Sequence, residues 1–114
     1  MRRLLLALPL ALAAGACLPI PGPPPPPYRG TGTEPFWSVL IDERNVTFVL
    51  SGSQPITQPT PAVIHGFAGE IYQTPRINVN IVHGQCSDGM SDRTYPDKVQ
   101  VTVDGKRFEG CGGL

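Results

Sequence analysis

Seven of the ten residues from Leu18 to Pro27 are proline, and this run limits what the chain can fold into more than any other feature. Proline fixes φ near −65° and lacks an amide donor, so the run cannot continue a helix or sit inside a sheet. It reads as polyproline II, which rises about 3.1 Å per residue and would span roughly 30 Å. A stiff stalk and a tether of no particular length both fit that composition. Whichever it is, the run sets a short N-terminal stretch apart from the part of the 114 residues that can form a domain.

The N-terminal stretch has the layout of an export signal. Met1-Arg2-Arg3 is basic, Leu4 to Ala13 is apolar, and Ala14-Gly15-Ala16 are small. The apolar part is shorter than the about 20 residues needed to span a bilayer. Residues 1–16 are therefore expected to be a signal peptide. Residues 17–30 follow as the tether and 31–114 as the domain. Cleavage removes Arg2 and Arg3, leaving seven basic against nine acidic residues, a mature charge near −2. Such a chain carries no basic patch for nucleic acid and no polybasic segment for a membrane surface.

Three cysteines are an odd number for an exported protein. Cys17 directly after the small residues is one special position. Cys86 and Cys111 remain as a natural disulfide pair in an oxidising compartment. The bridge would close 24 intervening residues, worth about 3–4 kcal/mol by the chain-entropy argument.

After Gly30 the periodicity is that of strands. Ile77, Val79 and Ile81 alternate with Asn78, Asn80 and Val82, as Val99, Val101 and Val103 do with Gln100 and Thr102. Residues 36–41 and 46–50 are apolar and flank Asp42-Glu43-Arg44-Asn45, which suits a four-residue hairpin loop. Asp104-Gly105 predicts a type I′ turn pairing Val103 with Lys106 and Val101 with Phe108. Segments 62–65 and 67–72 are weaker strand candidates, and Pro55, Pro59 and Pro61 mark a loop. The expectation is an all-β domain, a small antiparallel meander or barrel of six to eight short strands. Closing the sheet would remove exposed edges.

Few residues suggest chemistry. Phe36 and Trp37 at a strand start are expected to pack the core, although Trp37 could also stack on a ligand. Glu34 could pair with Arg93. Asp88, Asp92 and Asp97 invite a Ca²⁺ reading, but the spacing fails the EF-hand pattern and suits turns better. His65 and His83 are isolated, at no metal-ligand spacing with each other or with cysteine. No nucleophile elbow, phosphate loop or dinucleotide fingerprint occurs. No metal or cofactor is expected.

Two segments carry a family resemblance. Leu12-Ala13-Ala14-Gly15-Ala16-Cys17 resembles the lipobox of bacterial lipoproteins, which implies lipidation of Cys17; ordinary signal peptidase would also accept Ala14-Gly15-Ala16. Thr31-Gly32-Thr33-Glu34-Pro35-Phe36-Trp37, then Cys86 to Pro96, then Gly110-Cys111, resemble uncharacterised envelope lipoproteins often labelled "predicted membrane protein". Relatives in that family occur beside META-type domains and domains like the inhibitors of c-type lysozyme. The resemblance implies a lipid-anchored protein of the periplasmic face, on the outer rather than the inner membrane. About activity the resemblance implies little; the residues themselves, with no catalytic constellation among them, lead to the expectation of a non-catalytic domain that binds an envelope protein or wall component through Glu34, Trp37, Asp88, Asp92, Arg93 and Tyr95. A lysozyme-inhibitor-like role is one alternative. A hydrolase using Glu34 with an aspartate of the 86–97 loop is another.

Overall fold

In the computed structural model, residues 19–89 and 92–114 are described. Cys17 and the signal lie outside them. Pro19 to Pro27 carry no regular hydrogen-bonded structure. Nine strands follow: β1 (Tyr28–Gly32), β2 (Trp37–Ile41), β3 (Asn45–Leu50), β4 (Ile56–Pro59), β5 (Ile64–His65), β6 (Gly69–Gln73), β7 (Ile77–Ser87), β8 (Thr94–Val103) and β9 (Lys106–Gly112). There is no helix among the described residues. All pairings are antiparallel, and the strands form one curled sheet in the order β4-β3-β2-β1-β9-β8-β7-β6-β5. The all-β expectation holds. The sheet is a half-barrel, with β4 and β5 as its two edges.

Nine strands exceed the six to eight expected because two short ones are poorly marked. β1 begins three residues before the expected domain start at Thr31, and its sequence, Tyr-Arg-Gly-Thr-Gly, has no apolar alternation. β4 falls where Pro55, Pro59 and Pro61 predict a loop. It is an edge strand, where the missing donor of a proline can face outward.

The stronger signals behave as expected. Ile41 pairs with Val46 around the four-residue loop, and Asp42 Oδ1 accepts the amides of Arg44 at 2.8 Å and Asn45 at 2.7 Å. Asp104 and Gly105 both have positive φ, 48° and 86°, as a type I′ turn requires. Val103 pairs with Lys106 and Val101 with Phe108. The concave face buries Val39, Ile41, Val46, Phe48, Ile77, Val79, Ile81, Val99, Val101, Val103 and Phe108. Trp37 belongs with them, its ring stacked on Phe48 at 6.0 Å and near Phe108 at 6.3 Å.

The β1–β9 junction is narrow. Only Gly30↔Gly112 and Thr31↔Cys111 are paired. A Cβ on Gly110 would press into the Thr31 carbonyl, and one on Gly32 into the Trp37 ring. Glycine is thus needed on both strands for this approach.

Alternating turns divide the molecule into two ends. Turns 33–36, 51–55, 74–76 and 104–105 lie at one end. The other end, the mouth, holds loops 42–44, 60–63 and 66–68 and receives the tether at Tyr28. There Thr60 bonds the 42–44 turn twice, through its amide to the Arg44 carbonyl and its hydroxyl to the Asp42 carbonyl. Residues 60–63 then lead from edge strand β4 to edge strand β5. Five residue steps limit that gap to about 17 Å, so the sheet must curl.

Candidate functional site

The β7–β8 hairpin carries the most distinctive sequence and departs most from regular geometry. Its register is continuous from Ile77↔Val103 to His83↔Asp97, then gains one residue in β7 before Cys86↔Tyr95. The extra residue falls opposite Pro96, which has no amide to donate to the ladder. Such a bulge bends its strand. Here the bend carries Cys86 to Cys111 of β9, two strands away. Their Cα atoms are 5.6 Å apart and their sulfurs are bonded, whereas strands two apart in a flat sheet are separated by about 9.6 Å. The expected Cys86–Cys111 disulfide is present, and it pins the hairpin tip across the sheet.

The bend opens a groove of about 240 Å³ lined by Thr31, Gly32, Thr33, Ser87, Asp88 and Glu109. The two sequence motifs are therefore neighbours. Glu34 instead lines the adjoining cavity with Lys106 and Arg107; Thr33 and Glu109 border both. Glu34 has φ 55° and sits, exposed, in the turn between β1 and β2. Among the ion pairs given for the described residues none joins Glu34 to Arg93. Asp88 and Arg93 each have an interaction partner.

The other residues expected on a binding surface divide by exposure. Asp92 and Arg93 are exposed and Asp88 half-buried. Trp37 and Tyr95 are 3% and 8% exposed. Neither offers its ring to a partner, because each occupies an inward position in its strand's alternation. Phe36, expected in the core, is 60% exposed. It sits in the turn before β2, and Trp37 takes the first inward place. Asp88 and Asp97 do not form a Ca²⁺ set, since Asp97 faces the concave side while Asp88 borders the outer groove.

Asp97 belongs to a second site at the mouth. The inward period of Ile77, Val79 and Ile81 reaches His83 at the rim, where its side chain is 55% exposed, and that of Val103, Val101 and Val99 continues to buried Asp97. Register makes these two residues direct partners. His83 Nδ1 lies 2.7 Å from Asp97 Oδ1, and His83 Nε2 lies 2.7 Å from Glu70 Oε2 of β6. The Tyr28 hydroxyl donates to Asp97 Oδ2 at 2.8 Å. Four strands are tied together by this chain of contacts. The Asp97 side chain is 8% exposed and that of Glu70 29%.

Electrostatics follow the geometry. Hydrogen bonding to Asp97, then to Glu70, holds the His83 imidazolium above its ordinary range. Burial, followed by the hydrogen bond to Asp97, pushes the Tyr28 phenol well above its ordinary value. The two imidazole nitrogens face different carboxylates, so the three side chains do not converge on one point. Among the described residues no group of three or more His, Cys, Asp or Glu could hold a metal ion. Beside the network lies a cavity of about 360 Å³ bordered by Pro25 and Pro26 of the tether, Tyr28, Ile41, Val63 and Tyr72. In the sequence His83 and Asp97 form no motif with their chain neighbours; it is the apolar alternation, extended by one step on each strand, that pairs them.

Comparison with known protein families, curated proteins and solved structures gave no match.

Proposed function

We propose that the chain is an exported bacterial envelope lipoprotein, anchored through Cys17, whose half-barrel is a recognition module for an envelope protein or wall component. The observation that carries this reading is the Cys86–Cys111 bridge. It accounts for two of three cysteines and suits an oxidising compartment. Cys17 is then the one cysteine left, directly after a signal-like segment. One acyl chain binds membranes weakly, while two or three hold firmly, at about 0.8 kcal/mol per buried CH₂.

The recognition surface is the outer groove at Thr33 and Asp88 with exposed Glu34, Asp92 and Arg93. Loops carried by a rigid sheet are where binding residues collect. The disulfide restrains this one, which lowers the entropy lost on binding. A non-catalytic role is favoured over a hydrolase because Glu34 and Asp88 border separate cavities and do not face each other across one cleft.

Mass spectrometry of the mature N-terminus tests the anchor. Diacylated or triacylated Cys17, with release from membranes in Cys17→Ser, is the expected result. An unmodified Cys17 would overturn the anchoring. For the surface, Arg93→Ala should reduce capture of a specific envelope component while leaving the melting temperature within a few degrees.

A further inference from the structure

We propose that His83 is a proton-operated clasp: as an imidazolium it bridges Glu70 of β6 to Asp97 of β8, and loss of one proton releases Glu70 and loosens β6 at the mouth.

The argument begins with donors and acceptors. A neutral imidazole has one N–H and one lone pair, whereas the imidazolium has two N–H groups. Both ring nitrogens of His83 stand 2.7 Å from a carboxylate oxygen. Only the imidazolium donates to both. In the neutral ring one nitrogen lone pair must face a carboxylate oxygen, which is repulsive.

The carboxylate that loses its donor is fixed by burial. Asp97 is buried beneath β1 and β9, with Tyr28 already bonded to its other oxygen. An unmet acceptor costs more there than at Glu70, which water reaches. Neutral His83 therefore keeps its Nδ1 proton on Asp97, and Glu70 is released. Two other ionisable groups face this network: Tyr72 of β6, near Tyr28, and His65 of β5, the register partner of Glu70. Lys98 pairs with Val82 and so lies on the opposite face from His83 and Asp97.

The clasp sits where the backbone is least able to hold β6. β6 has five paired residues on β7, from Gly69↔Val82 to Gln73↔Asn78, and only the two-residue β5 on its other side. Just beyond His83 the β7–β8 ladder is interrupted by the bulge. The His83 amide donates to the Ala68 carbonyl at 2.8 Å, so the same residue fixes the start of β6 through backbone and side chain. Tyr72 is on β6 and borders the mouth cavity. Loosening β6 widens that cavity.

The protein has two histidines, so ¹⁵N NMR of the imidazole rings resolves each one in the mature chain in detergent micelles. The expected result is a doubly protonated His83 at neutral pH, with a titration midpoint that moves down in Glu70→Gln. Hydrogen exchange should show protection of Gly69–Gln73 falling as pH crosses that midpoint, and not in His83→Gln. A neutral His83 ring at neutral pH, with the shared proton on Glu70, would overturn the proposal. So would β6 protection with the same pH dependence in wild type and His83→Gln. If His83→Gln does not fold, the ring-nitrogen spectrum of the wild type decides alone.

Discussion

Phe108 shows how much one side chain can matter in a domain this small. It packs on Phe48 at a centroid separation of 5.0 Å and on Trp37, joining β9 to β2 and β3 across the half-barrel. Phe108→Ala should cost about 3–5 kcal/mol, from lost burial and the cavity left behind, read from chemical denaturation. That is a large share of the about 5–15 kcal/mol typical of a whole domain. Tyr95 belongs to the same class, since its ring is buried. Tyr95→Ala should lower stability by on the order of 3 kcal/mol, where Arg93→Ala, two residues away and exposed, should not. Equal melting temperatures for the two variants would contradict the assigned burial. At this scale the sequence was readable where a residue type has one physical preference. The valines and the Asp104-Gly105 pair fell where expected. Trp37, Tyr95 and Phe36 did not all do so, because an aromatic near a strand end can turn either way and only the register decides.

Among the elements, the β7–β8 hairpin combines the longest ladder with the bulge and the cross-sheet bond. Cleaving the Cys86–Cys111 bridge frees a loop of 24 residues in the unfolded chain, so reduction should lower stability by about 3–4 kcal/mol. Chemical denaturation with and without reductant measures this. Thiol labelling without reductant should find neither cysteine reactive. The pairing was legible from cysteine parity. The bend was not, since it depends on Pro96 lying opposite the extra residue, and that requires knowing the register. β1 and β4 were missed for a related reason. They are strands because their neighbours offer hydrogen bonds, and their own residues carry little β preference.

For the molecule as a whole, ionisation sets an acid and an alkaline limit. Asp42 is held below the ordinary carboxylate range by the amides of Asn45 and Arg44, and Asp104 by its two contacts with Arg76, at 3.0 and 2.7 Å. A depressed folded-state value stabilises above the unfolded-state value and is lost as pH falls through the folded one. These two groups therefore weaken the fold on the acid side, below about pH 4. His83 and Tyr28 are raised, so their contribution is complete below their unfolded values and is lost as pH rises. Melting temperature against pH should fall at both limits, and Glu70→Gln should flatten the first part of the alkaline fall. An unchanged alkaline limb in that variant would remove His83 from the account. The strand order has a further consequence, for how the chain reaches this state. β1 to β4 form one meander and β5 to β9 another, and they meet only where the first strand finds the last. That meeting joins residues about 80 positions apart, and folding slows as contacts become more distant in sequence. A circular permutant joining Leu114 to Tyr28 and opened within 60–63 would make all nine strands consecutive neighbours. It should refold faster than the natural order in stopped-flow measurements, with the rest of the sheet unchanged.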